Sequence, residues 1–533
     1  MFRKFAIALF VLCLPMIAFG QVSDDGKPVK VFTDADMVGT YDMKADTVYN
    51  LQGFVYVEDG EVLNIEAGTI LKGNQGSGAS ATALVVAQGG TINAVGTPSA
   101  PIVMTTIIDD LDDPGDIPFS DARGKWGGLI VLGNAPINTT TGVGQIEGIP
   151  ETEPRGAYGG TDPLDNSGTL QYVSIRHGGS EIGAANEING LTMGGVGSTT
   201  TIDHVEVIYN LDDGYEWFGG TVTCNNLVAA FCGDDSFDYD EGWSGSGQFW
   251  FTIQSKDAGD RGGEHDGGTD PVDGEGFSLP AISNATYLGR GPENGGQRTF
   301  AIRDNAGAGY FNSIFAYHGQ YAMSIEDKDS EPTDSRDRLV EGNIVFGNNV
   351  FWAFGNGNEA KDLANDDQFV LDYVFNDAGL ENQIGDAGMA GISRDPDGGL
   401  DPRPFVTGTD STLVQQWVDP ASYGYPVAVT GYANALDHVT HQTFTSVDYQ
   451  GAFDPATPIS SSWVAGWTAL DFYNYLGDVT KDANALPVKV VTDADIVGDS
   501  GMYYWSNDTV YNVAGFLYVD SANTLVVEPG TVV

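Results

Sequence analysis

Three segments repeat one motif: INGLTMGG (188–195), LDDGYEWFGG (211–220) and GDDSFDYDEG (233–242). They align on Asn189, Asp213 and Asp235, at spacings of 24 and 22 residues. The stretches between them are rich in β-branched and apolar residues. Strands that return every 22–24 residues through Gly- and Asp-rich turns are typical of a solenoid. The sequence therefore predicts an all-β chain folded as a parallel β-helix.

Helical periodicity is confined to the later part of this solenoid. NEAKDLANDDQFVLDYVF (358–375) and WVAGWTALDFYNYL (463–476) are the two helical candidates. We expect both to be minor decorations near the end of the β-helix.

A second, longer repeat divides the chain. PVKVFTDADMVG (28–39) returns as PVKVVTDADIVG (487–498), and DTVYNLQGFVYV (46–57) returns as DTVYNVAGFLYV (508–519). We interpret residues 21–480 as one β-helix unit and 481–533 as the truncated start of a second, so we expect a longer tandem protein.

The first twenty residues read as a signal peptide. Arg3 and Lys4 precede an apolar run, and Ala18 and Gly20 supply the small residues of a cleavage site. No other run approaches the length of a membrane span. We therefore predict an exported protein, extracellular or at the cell surface.

The charge of the chain limits its partners. With 23 Lys+Arg against 74 Asp+Glu, the formal net charge is −51. Such an excess disfavours nucleic acids, which need cationic side chains at their phosphates, and it disfavours anionic membrane surfaces. It favours the attraction of divalent cations.

Several motifs resemble a family of large secreted bacterial proteins. They include KWGGLIVLGNAPIN (125–138), GTLQYVSIRHGG (168–179) and GDDSFDYDEGWSGSGQFWF (233–251). The resemblance implies a right-handed parallel β-helix of the pectate-lyase-like shape and an extracellular or surface location, often through type IX secretion. It implies no established activity.

Acidic residues should stack in this fold, because positions one coil apart lie about 4.8 Å from each other. Two bare carboxylates at that distance repel by roughly 3.5 kcal/mol at an effective dielectric near 20. A Ca²⁺ ion, backbone N–H donors in the turns, or a retained proton would each relieve this repulsion. For a Ca²⁺ site, the predicted ligands are Asp212, Asp213, Asp234, Asp235, Asp238 and Asp240.

Catalysis is the alternative interpretation of the same acids. The order NLDDG, GDDSFD, GEHDGG and AIRDN is similar to that of the polygalacturonases, inverting hydrolases that use a pair of carboxyls. The resemblance implies Asp213, Asp234 and Asp235 as the acid and base, assisted by His265 and Arg303. The flanking motifs depart from that family at His265 and Arg303.

A lyase would instead use Arg261 as the base, beside His265, with Ca²⁺ to acidify the substrate. Arg176 and His177 form a second candidate pair, which we expect to be structural.

Two further groups of residues remain open. Cys224 and Cys232 are either a disulfide or two buried thiols. The aromatic residues of YEWF (215–218) and FWF (249–251) either stack in the core or contact sugar rings. Because FWF is consecutive, at least one of its rings should point outward.

Together, these patterns predict a secreted structural or adhesive β-helix that binds Ca²⁺ and contacts an acidic or neutral polysaccharide or another surface protein. The alternative is a polysaccharide hydrolase or lyase that acts through Asp212, Asp213, Asp234 and Asp235.

Overall fold

The protein is described by a computed structural model. The described residues are 23–24, 26–150, 152–183, 186–268, 271–274, 276–328, 330–404, 417–426, 428–429, 439–440, 442–479, 488–491, 502–505, 510–513, 519 and 524–527. The predicted signal peptide lies outside them. The chain divides into two compact units, Met1–Asp478 and Val479–Val533.

Two parallel sheets form the first unit. The nine strands of the smaller sheet are Phe54–Val57, Ala83–Val86, Leu129–Leu132, Leu191–Gly194, Tyr215–Phe218, Phe237–Asp240, Gly263–Asp266, Phe300–Arg303 and Met323–Ile325. The nineteen strands of the larger sheet are Val29–Phe32, Thr40–Met43, Val48–Leu51, Val62–Ile65, Ile70–Gly73, Thr91–Val95, Ile102–Thr106, Gly168–Arg176, Thr201–Ile208, Thr223–Ala230, Ser246–Gln248, Phe251–Ile253, Ala281–Ser283, Thr286–Leu288, Ala308–Phe311, Ile314–Ala316, Ile344–Gly347, Val350–Trp352 and Gln383–Ile384. The predicted right-handed parallel β-helix is therefore confirmed.

Each coil bends within the larger sheet, which gives the helix three faces. The strand Thr201–Ile208 bends at His204 (φ 55°), and Thr223–Ala230 bends at Asn226 (φ 53°). Coil lengths vary more than the motif spacing indicates, from 19 residues between Val29 and Val48 to 76 between Ile92 and Gly168. The extra residues form loops outside the coils.

The remaining elements are short. Antiparallel hairpins pair Gly144–Gln145 with Ala157–Tyr158, Glu181–Gly183 with Asn186–Glu187, Met389–Ile392 with Leu400–Pro404, and Ala428–Val429 with Val439–Thr440. The helical turns are Asp34–Asp36, Gly78–Ser80, Phe119–Asp121, Pro154–Gly156, Ser335–Val340, Ala360–Leu363, Gln368–Val370, Leu371–Phe375, Ala378–Leu380, Pro420–Tyr423, Ile459–Ser461 and Ala469–Phe472. Both predicted helical stretches therefore contain helix, in shorter pieces than the sequence pattern indicates.

Aromatic rings fill the interior of the central coils. Trp217 stacks on Trp243 at 4.7 Å and on Trp250 at 5.2 Å between ring centroids, and all three are buried. Of the FWF segment, Trp250 points into this core, Phe251 packs on Phe453 outside the coil, and Phe249 occupies a bend with φ 61° and is half-buried. Cys224 and Cys232 are free, buried thiols, which resolves the choice left open by the sequence.

A buried glutamate attaches residues 463–476, which we call the C-terminal segment of the first unit, to the coils. The carboxylate of Glu206, on the outer side of the larger sheet, accepts the backbone N–H groups of Ala469 (2.6 Å) and Leu470 (3.2 Å) and the hydroxyl of Ser174 (2.6 Å). It therefore caps the helix Ala469–Phe472 from outside the segment.

The second unit repeats the strand register of the first. Val488–Val491 pairs in parallel with Val510–Val513, and Met502–Trp505 pairs with Thr524–Val527. By the sequence repeat, the first of these pairs is equivalent to the pairing of Val29–Phe32 with Val48–Leu51. The second is equivalent to the pairing of Thr40–Met43 with Val62–Ile65. The repeat is therefore structural as well as sequential.

The aromatic stack yields a prediction about stability. We expect Trp217→Ala to lower the free energy of unfolding by about 3–5 kcal/mol, because it leaves a cavity among buried rings. Chemical denaturation of the full chain measures the change. Phe218→Ala, one residue along and half-buried on the outside, serves as the control, and an equal loss in the two variants would contradict the core role.

Candidate functional site

Acidic side chains line the outer surface of the smaller sheet. Side chains alternate along its strands, so Tyr215 and Trp217 point into the core and Glu216 points outward. The strand register places Glu216 beside Asp238, and Asp238 beside Glu264. We call the outward acids of these three strands the acidic face; its members are Glu216, Asp238, Asp240, Glu264 and Asp266.

The predicted residues Asp213 and Asp235 lie at the turn that precedes these strands, where each binds the next coil. Asp213 Oδ1 accepts the backbone N–H of Asp235 at 2.8 Å, and Asp235 Oδ1 accepts the backbone N–H of Arg261 at 2.5 Å. Both carboxylates are buried. One of the three remedies for repulsion, backbone N–H donors in the turns, therefore operates at these two positions.

The other predicted ligands divide between two places. Asp234 is exposed and Asp212 half-buried on the outer side of the turn, where their oxygens come together with Asp213. Asp235, Asp238 and Glu264 form another group whose ligand atoms lie within 4.8 Å of one another. Among the described residues, Asp240 joins neither group.

Two arginines offset part of this charge. Arg261 Nη1 lies 3.1 Å from Asp235, 3.0 Å from Asp260 and 2.9 Å from Glu264. Arg303 lies 2.9 Å from Glu264 and 2.7 Å from Asp266. Neither arginine forms an ion pair with Glu216 or Asp238 in the described part of the chain.

Burial and mutual repulsion favour protonation of these acids. Burial is the first cause that raises the pKa of Asp238 well above its usual range, and the neighbouring carboxylates of Asp266 and Glu264 add to it. Burial, with Glu147 and Asp234 nearby, raises the pKa of Asp212 to about 7. Without a counterion, the face therefore binds protons that the unfolded chain would release.

A loop residue completes one end of the face. Glu147 lies beside Glu216, and burial first, with the Glu147 carboxylate next, raises the pKa of Glu216 well above its usual range. The buried amide of Asn189 donates to both, at 3.1 Å to Glu147. The sequence reasoning missed Glu147 and Glu216. Glu216 could have been found, because it stands three residues after Asp213, as Asp238 does after Asp235.

The comparison with protein families now adds to this geometry. The family model for the pectate-lyase-like β-helix domain matches residues 36–386. The chain belongs to this family. Searches of curated proteins and of solved structures gave no match. The family assignment agrees with the three-faced coil and places the acidic face within the matched region.

In this pectate-lyase-like β-helix, His265 does not join the acidic face. It alternates with Glu264 and Asp266 and so points inward, where its ring stacks on Tyr239 at 3.9 Å. Its Nε2 contacts the hydroxyl of Tyr310 at 2.9 Å, and burial lowers its pKa to about 3. These surroundings are those of a neutral core histidine.

The arginine that a lyase would use as its base is surrounded by acids. Carboxylates at three sides of Arg261 raise its pKa, so the guanidinium holds its proton more firmly than usual. The other pair, Arg176 and His177, is buried on the larger sheet, away from the smaller one.

No helix among the described residues is long and apolar enough to cross a membrane.

We call the hydrogen bonds that Asp213 and Asp235 accept from the backbone of the next coil the turn ladder. This turn ladder predicts unequal effects of two substitutions at Asp235. Asp235→Asn keeps an oxygen that accepts the N–H of Arg261, and Asn189 is the natural residue at the aligned position. Asp235→Ala removes the acceptor, and we expect it to lower the free energy of unfolding by about 1–3 kcal/mol more than Asp235→Asn does. Chemical denaturation compares the two variants, and equal losses would contradict the ladder.

The raised pKa values predict a stability that falls as pH rises. Because the folded-state pKa of Asp212 is about 7 and that of an unfolded Asp is about 3.9, the folded chain binds more protons between these values. In chelator, we expect thermal melts to give a lower Tm at pH 8 than at pH 5.5. Asp212→Asn/Asp238→Asn should reduce this difference, whereas Asp46→Asn, at an exposed position, should leave it unchanged. A Tm that rises toward pH 8 would contradict the assignment.

Proposed function

We propose that the protein is a secreted or surface β-helix with a structural or adhesive role, whose acidic face binds Ca²⁺ and which contacts polysaccharide. The group Asp235, Asp238 and Glu264 carries the proposal. Three carboxylates from two consecutive coils converge there, Asp235 and Asp238 from one and Glu264 from the next, and Ca²⁺ prefers oxygen ligands of this kind. An ion at this place would join coils that otherwise repel.

An unused acceptor supports the fit of a cation. Asp238 Oδ1 is shielded from solvent and accepts no hydrogen bond from the described residues. A buried charged oxygen without a partner is costly, and a cation relieves that cost. Arg261 already neutralises part of Asp235 and Glu264, and Arg303 part of Glu264, so a bound ion would draw mainly on Asp238.

The proposal predicts a Ca²⁺-dependent melt. We expect millimolar CaCl₂ to raise the Tm of the full chain by several degrees relative to EDTA, because a ligand that binds only the folded state stabilises it. Asp238→Asn/Glu264→Gln should abolish the rise. In EDTA, this variant should melt at or above the wild-type temperature, because repulsion is relieved.

The control variant is Asp46→Asn/Asp59→Asn, which removes the same charge at exposed positions outside the acidic face. It should keep the full Ca²⁺ response. The calcium proposal fails if the wild type does not respond, or if both variants lose the response equally. MgCl₂ at the same concentration separates a site for Ca²⁺ from general screening of the charge.

Polysaccharide hydrolysis is a second candidate, and the observation that favours it is the pair of carboxyls, Glu147 and Glu216, that share the amide of Asn189. A carboxyl kept protonated by burial can act as a general acid toward a glycosidic oxygen. Release of reducing ends from polygalacturonate and from neutral glucans would measure this activity. If it occurs, Glu147→Gln and Glu216→Gln should each abolish it, and activity that survives both would assign it to other residues.

A further inference from the structure

A ladder of rings lies on the outside of the coils, on the side of the larger sheet. His177 (φ 60°), Tyr209 (φ 58°) and Phe231 (φ 56°) occupy the same turn in three consecutive coils. Tyr209 stacks on His177 at 5.3 Å and on Phe231 at 5.6 Å between ring centroids. Bulky residues rarely adopt positive φ, and such strain is concentrated at functional sites.

A cavity of about 540 Å³ lies against this ladder. Its inner wall contains His177 and Tyr209, together with Tyr473 and Tyr475 of the C-terminal segment. The tyrosine hydroxyls form hydrogen bonds within the wall: that of Tyr209 with that of Tyr475 at 2.6 Å, and that of Tyr473 with His177 Nε2 at 3.0 Å. Its volume lies within the range of about 300–1,000 Å³ for small-molecule sites.

The mouth of the cavity is charged with both signs. The carboxylates there are Asp116, Asp257 and Asp395, and the amine is Lys256. Lys256 forms no ion pair with any described residue. The guanidinium of Arg394 is committed to the backbone carbonyls of Gln254 and Gly289. The mouth therefore offers both acceptors and a donor, with an excess of acceptors.

This composition selects one class of ligand. A sugar ring has apolar C–H faces that pack on aromatic rings and hydroxyls that bond to carboxylates and amines. A fully apolar ligand would leave the charges at the mouth desolvated, and a uronate would meet three carboxylates against the two cations Lys256 and Arg394. A neutral hexopyranose satisfies both the walls and the mouth.

We infer that this cavity binds a neutral hexopyranose residue of a glycan, packed against Phe119 and hydrogen-bonded to Asp395 and Lys256. Phe119 is half-buried and meets Tyr209 edge-on at 5.6 Å, so it offers its own surface to the cavity. The inference rests on the polysaccharide contact in the proposed function. It does not depend on Ca²⁺, because the acidic face lies on the other sheet.

The test is saturation-transfer NMR and calorimetry on the full chain. The probes are the methyl glycosides of glucose, galactose and mannose, cellotriose, and methyl galacturonide as the acidic counterpart. At least one neutral probe should bind with a Kd in the millimolar range or tighter, equally in EDTA and in CaCl₂. Methyl galacturonide should bind at least tenfold more weakly than the best neutral probe.

The variants locate the site. Asp395→Asn and Phe119→Ala should each weaken that binding about tenfold, whereas Asp46→Asn should not change it. Asp395 is exposed, so its exchange leaves folding intact even if Phe119→Ala does not. The inference is overturned if no neutral probe binds, if the uronide binds best, or if Asp395→Asn binds as the wild type does. A sugar response without a Ca²⁺ response would refute the cation site alone.

Discussion

Register between parallel coils determines everything else in this molecule. Because each strand pairs with the strand one coil away, a residue is always stacked on its own equivalent, about 4.8 Å above and below. Inside the coil this constraint is favourable, since Tyr215 stacks on Phe237 and Tyr239 stacks on His265, each on its neighbour one coil away. Outside, the same constraint forces carboxylates together. The core and the candidate site are therefore two results of one geometry.

The protein deals with stacked acids differently at neighbouring positions. At the turn, Asp213 and Asp235 direct an oxygen at the next coil's backbone and become part of the ladder. Three residues later, Asp238 has no such donor, because the backbone groups of a strand are already used by its two neighbouring strands. This difference distinguishes the acids that hold the coil together from those that are available to a cation or a substrate.

Much of the fold was readable from the sequence, since a motif that returns every 22–24 residues specifies a coil. The same spacing predicts that the Asp-rich turns lie on neighbouring coils, and the structure brings Asp212, Asp213 and Asp234 into one group and Asp235 and Asp238 into another. The orientation of side chains was harder. The sequence places His265 beside Arg261 as a candidate site residue, but strand alternation turns its ring into the core. Glu147 could not be found, because it reaches the face from an insertion whose path no coil repeat describes.

The attachment of the C-terminal segment by Glu206 has a consequence for how the cavity comes into being. The carboxylate and its partners Ala469 and Leu470 are more than 260 residues apart in sequence. Contacts of such separation form late in folding, because the intervening chain must be ordered first. Tyr473 and Tyr475 follow directly after the attached helix and supply one wall of the cavity. We therefore expect a partly folded chain to have coils and an acidic face but not the cavity lined by Tyr473 and Tyr475. The presence of that cavity then indicates that the first unit has finished folding.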